Sequence, residues 1–123
     1  MTRQKLEAMS VEELVARFEA IALEQDDAIF NDDNARYNRL FREMDALKQA
    51  LKSREGDQRR ALLPLLEHKN GQVRLKAAIA TLAVEANAAR QTLQEIRDSN
   101  VYPEAANARG MISAIDEGRY VPS

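Results

Sequence analysis

The stretch HKNGQVRLKAAIATL, His68 to Leu82, decides the fold. Asn70 and Gly71 break the chain, and the run that follows is small or aliphatic with one arginine, Arg74, just inside it. Over 72–84 the apolar positions form two stripes, Val73, Ala77, Ala80 and Val84 on one side and Leu75, Ile79 and Leu82 on the other. A surface helix needs one such stripe; two predict a helix flanked by neighbours on both sides.

Upstream, Asp57 is placed to cap a helix over QRRALLPLLEHK, in which Pro64 removes the amide bond to the Arg60 carbonyl and predicts a bend. Two longer helices come before it. The first is opened by Ser10 with Glu13 three residues on, a capping box, and its apolar period runs to about Phe30. The cluster NDDN, Asn31 to Asn34, stops it and supplies cap oxygens to the second. That second helix carries Tyr37, Leu40, Phe41, Met44, Leu47 and Leu51 on one face and ends near Gly56. Downstream, a fifth helix over about 87–98 buries Ala89, Leu93 and Ile96. A sixth starts with Pro103 at its first position and ends at Gly118. Gly110 inside that helix predicts close packing of another backbone, with the approach of a ligand as the alternative. No segment alternates with period two, so no sheet is expected.

Totals bound the rest. The chain has 123 residues, enough for one domain with a core, and only three Phe, three Tyr and no Trp, so that core is aliphatic. Eighteen basic against twenty acidic residues give a net charge of −2, which provides no field to attract a phosphate backbone. Nucleic acid is not an expected partner. The absence of cysteine removes disulfides, thiolate catalysis and cysteine zinc sites together, and fits a cytoplasmic setting. MTRQKLEAMS has no apolar core of a signal peptide and no apolar run of eighteen occurs, so no membrane association is expected. The organisation expected is an extension over 1–9, one helical domain over 10–118 and a tail over 119–123.

The helices also repeat. AAIA at Ala77 to Ala80 returns as AANA at Ala105 to Ala108, and Leu65 and Glu67 fall where Leu93 and Glu95 do. Helix pairs in a chain of this length come close to the roughly 40-residue unit of HEAT and armadillo arrays. LLPLLEHKNGQVRLKAAIATL, Leu62 to Leu82, resembles a HEAT repeat: a leucine-rich first helix with a proline, a short turn, Val-Arg, paired alanines and a late leucine. His68 and Asn70 stand where that pattern favours Asp, and Gly71 where it favours Pro. Together with TLAVEANAAR and GMISAIDEGRYVPS, the segment is similar to a small bacterial family of HEAT-like proteins known as a domain of unknown function. The resemblance runs from about Leu14 onward. It implies an all-α fold, a right-handed HEAT/armadillo-like array of about six helices in three hairpins, and it carries over no catalytic residue.

Individual side chains offer little chemistry. His68, the only histidine, lacks an orienting acid on its own helix face, because Glu67 points about 100° away. Asp26, Asp27, Asp32 and Asp33 lack the alternate spacing and central glycine of a calcium loop, and helix capping accounts for them. Arg36, Arg39 and Arg42 spread around their helix with Glu43 and Asp45 among them. No catalytic residue, metal ligand or cofactor is therefore assigned.

In a HEAT-like array the second helices line the concave side. Their polar positions, Asn38, Arg42, Asp45, Arg74, Thr81, Glu85, Arg109 and Ser113, are the candidate partner-binding face. A groove of that kind suits another protein or a peptide. The expected function is a non-enzymatic binding module, an adaptor or an inhibitor in the manner of an immunity protein, with self-association through an end helix left open. The alternative is a small-molecule binder or lyase-like enzyme on the same scaffold, which requires a deep pocket with converging polar groups.

Overall fold

A computed structural model describes residues 2–123. Among the described residues there are six α-helices and one 3₁₀ segment, and no strand. The helices are α1 (Arg3–Ala8), α2 (Val11–Phe30), α3 (Asn34–Ser53), α4 (Gly71–Thr81), α5 (Ala86–Asp98) and α6 (Glu104–Asp116), with the 3₁₀ segment Gln58–Glu67 between α3 and α4. None is long and apolar enough to cross a membrane. The chain divides into two compact units, one up to Ala61 and one from Leu62.

Local signals set the helix ends of the first unit. The Ser10 hydroxyl accepts from the Glu13 amide at 3.1 Å, and the Glu13 carboxylate accepts from the Ser10 amide at 3.1 Å, so two otherwise unbonded donors are satisfied reciprocally. The Asp33 carboxylate accepts from the Arg36 amide at 3.1 Å and opens α3. Asp32 between them takes φ 54°, a left-handed conformation that Asp tolerates better than most residues. With so short a connection α2 and α3 pack along each other. They bury Leu14, Phe18, Ile21, Ala22 and Ala28 from one helix and Leu40, Met44, Leu47 and Leu51 from the other. The short α1 lies against α3, with Leu6 buried. Arg54, just past α3, donates to the Leu6 and Met9 carbonyls at 3.1 and 2.7 Å and so holds the C-terminus of α1.

The Pro64 segment departs from expectation. A bent α-helix is predicted, and Gln58–Glu67 is 3₁₀ instead. Proline has no amide to donate to the residue four back and its ring clashes with that carbonyl. The tighter i→i+3 winding avoids that contact and serves as a connector. Asp57 starts it at φ 50°, its carboxylate gripping the Arg59 guanidinium at 2.9 and 2.7 Å.

That grip holds the Asp57 carboxyl below its ordinary value of 3.8, chiefly through the hydrogen bonds from Arg59. A carboxyl depressed in the folded state adds stability at pH values above the unfolded value and loses it as the pH falls through the folded one. Asp57→Asn is therefore expected to flatten the loss of stability below about pH 4. Urea midpoints at pH 7 and pH 3 check this: the gap between them should shrink in the variant, and an unchanged gap would remove the pair from the acid response.

In the second unit α4 packs against both α5 and α6, as its two stripes predict. Leu75, Ala78 and Leu82 join Ala89, Leu93, Ile96, Ala108 and Ile112 in one core, while Val73, Ala77 and Ala80 are buried as well. Asn70 caps α4, its side-chain oxygen accepting from the Gln72 and Val73 amides at 2.9 and 3.1 Å. α4 ends at Thr81, three residues earlier than the apolar run suggests. Pro103 stands one position before the first residue of α6. Arg90 and Asp116 tie α5 to α6 at 2.9 Å, and this hydrogen bond lowers the Asp116 carboxyl.

Gly110 is a second departure. A backbone was expected against it, yet a Cβ built there meets nothing within 4 Å and the residue is exposed. Nothing offsets the entropy glycine loses in a helix, so Gly110→Ala is expected to add about 0.5–1 kcal/mol. A rise of a few degrees in the thermal midpoint checks it.

Candidate functional site

The structure treats the eight candidate positions differently. Asn38, Arg42 and Asp45 are exposed on α3, and their spacing of four and three places them on one face, opposite buried Leu40, Met44, Leu47 and Leu51. Asp45 is also within 3.7 Å of Lys48. Arg109, exposed, and Ser113, half-buried, share a face of α6, where the Arg109 guanidinium donates to the Tyr102 hydroxyl at 3.4 Å.

The remaining three sit elsewhere. Arg74 is half-buried and donates from Nη1 to the His68 and Lys69 carbonyls at 2.7 and 3.0 Å, so it closes the turn before α4. Its Nη2 and the buried Glu104 side chain both approach Gly71, at 3.7 and 3.6 Å from where a Cβ would stand. Thr81 is fully buried, its hydroxyl donating to the Ala77 and Ala78 carbonyls at 2.8 and 3.3 Å. Expected on an accessible face, it is a core residue, because bonding back to its own helix lets the hydroxyl leave water. Glu85 is half-buried before the first residue of α5, its amide donating to the Thr81 carbonyl at 2.8 Å.

Phe41 was expected in the core and stands 53% exposed beside Asn38, Arg42 and Asp45. The period contains the reason: it lies about 100° from Leu40, off the axis of the buried Leu40, Met44, Leu47, Leu51 stripe. A strict reading of helical angle separates it from that stripe; its apolar character alone does not.

The ionisable groups serve architecture. His68 Nδ1 accepts from the Asn70 amide at 2.9 Å, which commits that nitrogen to the turn. Asp27 pairs with Arg36 at 2.6 Å, and Asp33 caps α3. Among the described residues no three His, Cys, Asp or Glu side chains converge as metal ligands would. A cavity of about 400 Å³ opens between α1 and the end of α3, lined by Arg3, Leu6, Glu7, Gln49, Ser53 and Arg54 among others and by none of the eight candidates.

Fold and surface together define an all-α protein that spends much of its polar chemistry on caps, turns and ion pairs and presents polar helix faces with an aromatic edge. A family model described as a domain of unknown function (DUF2019) matches residues 12–116, and the chain belongs to that family. It is similar to the protein RPA1889 from Rhodopseudomonas palustris CGA009, known as a crystal structure. The two are 43% identical over 96% of this chain and 98% of that one, with a TM-score of 0.93. No curated protein matches it.

Proposed function

We propose that this chain is a non-enzymatic, cytoplasmic protein-binding module, an adaptor or an inhibitor in the manner of an immunity protein, whose helices follow a right-handed HEAT/armadillo-like array. One observation carries the reading: Phe41 stands out beside exposed Asn38, Arg42 and Asp45 on a helix whose other side is locked in the core. Binding energy at protein interfaces concentrates in aromatic and arginine anchors held on rigid elements, with polar neighbours that set specificity. Arg42 and Phe41 provide the anchor types, Asn38 and Asp45 the neighbours. Packing of α2 with α3 and of α4 with α5 and α6 supports the repeat architecture. The partner class is a folded protein or a peptide.

The test is crosslinking of a tagged copy in its native cells, with wild type compared to an Arg42→Glu variant of equal thermal midpoint. A stoichiometric protein partner is expected with wild type, and reversing the charge of a central arginine should weaken it at least about tenfold. Recovery of nothing beyond the chain itself, or of the same partner at equal yield from both, would overturn the reading.

A further inference from the structure

The outward side of α2 has a different composition from the α3 face. Its buried side carries Leu14, Phe18, Ile21 and Gln25; directly opposite run Ala16, Leu23 and Phe30, all exposed and spaced by seven residues. Leu23 is 41% and Phe30 88% exposed, the latter an extreme value for a phenylalanine at the end of a well-packed helix. Seven-residue spacing keeps side chains in nearly one line, drifting only about 20° per repeat, and such a line is what a second helix packs along.

Acids predominate among the charges beside this line. α2 carries six acids, Glu12, Glu13, Glu19, Glu24, Asp26 and Asp27, and a single base, Arg17. Arg17 is half-buried and drawn to Glu24 and Glu43 at 3.6 and 3.5 Å. Glu12 and Asp27, at either end of the line, are exposed, Asp27 while holding Arg36 at 2.6 Å, and Asp32 and Asp33 extend the negative edge past Phe30.

A second copy of the chain fits this edge poorly. An antiparallel two-fold pairing of α2 centred on Leu23 sets Glu19 opposite Asp27, and a parallel one sets Glu12 and Asp27 against their own copies. Either brings together two edges that each carry an excess of acids, which Arg17 and Arg36 offset only in part. We infer that the outward face of α2 docks a basic amphipathic helix of a partner protein, with apolar side chains over Leu23 and Phe30 and Lys or Arg against Glu12 and Asp27. This is the helix-on-helix mode of peptide recognition, with apolar anchors for affinity and the acidic rim for selection. It concerns a surface distinct in sequence from the α3 face and does not depend on it.

The probe is a synthetic 21-residue peptide of leucine and lysine, leucine at the first and fourth positions of each heptad. A control peptide has glutamate in place of lysine. Titration of the full chain by fluorescence anisotropy is expected to show binding of the lysine peptide that weakens with added salt, and none of the glutamate peptide. Leu23→Ser/Phe30→Ser, whose unchanged thermal midpoint verifies folding, is expected to lower the affinity at least about tenfold. Glu12→Lys should weaken it severalfold by charge alone, whereas Arg42→Glu should leave it as it was, which separates this surface from the α3 reading. Equal binding of both peptides, or undiminished binding by the double variant, would overturn the inference. So would sedimentation showing a wild-type dimer that the double variant abolishes, since the occupant is then a second copy.

Discussion

An aspartate at Ala77 is expected to leave the chain without a cooperative melting transition. Ala77 is fully buried on α4, between Val73 and Ala80 on one of the two stripes of a helix covered on both sides. The larger side chain has to displace packed neighbours, and overpacking a core site costs about 1–3 kcal/mol. Its carboxylate must also stay charged in an apolar surrounding, or take up a proton and sit there without designed partners, at a further few kcal/mol. Together these approach the whole stability of a chain this size, about 5–15 kcal/mol. Thermal denaturation followed by circular dichroism decides it. A midpoint equal to wild type would mean that α4 is not closely packed at that position, while the exposed control Ala83→Asp should melt within a few degrees of wild type.

Truncating Phe18 to alanine is expected to remove about 3–5 kcal/mol. Phe18 is fully buried on α2, in the core made with Leu14, Ile21, Leu40, Leu47 and Leu51. Deleting the ring removes its transfer free energy and leaves a cavity that two long, capped helices cannot readily close. The urea midpoint should fall at unchanged slope, with faster amide exchange in α2 and α3. Phe30 supplies the contrast. Phe30→Ala, at a side chain already in water, should stay within about 0.5 kcal/mol of wild type. Equal losses at Phe18 and Phe30 would contradict the burial that separates them.

The three phenylalanines also show where sequence reasoning about the fold and the site reaches its end. One chemical type occupies three environments: Phe18 in the core, Phe41 half out beside the polar face of α3, and Phe30 almost wholly in water. Helical period places Phe18 correctly because Leu14, Ile21 and Ala22 share its direction. It leaves Phe41 ambiguous, since a residue 100° from the centre of a stripe is buried or exposed according to whether a neighbour covers that flank. The α3 part of the candidate surface, Asn38, Arg42 and Asp45, was legible for the converse reason: polar residues opposite a continuous apolar stripe have nowhere to go but outward. Arg74 and Thr81 look alike in the sequence, polar positions on an apolar helix. The structure gives one to the turn carbonyls and the other to its own helix backbone.

Features that depend on residues three or four apart are legible in the chain alone. Ser10 with Glu13 and a cap oxygen from the Asn31–Asn34 cluster before α3 are local hydrogen bonds, and both are present as read; the two stripes of α4 are local angles that hold up to Thr81, where the helix ends. Contacts across the fold decide that Arg54 reaches back 45 residues to hold α1, that Thr81 is sealed from water and that Gly110 faces open space. Each of these depends on what stands across from the residue in space, and neither a cap nor a period contains that information.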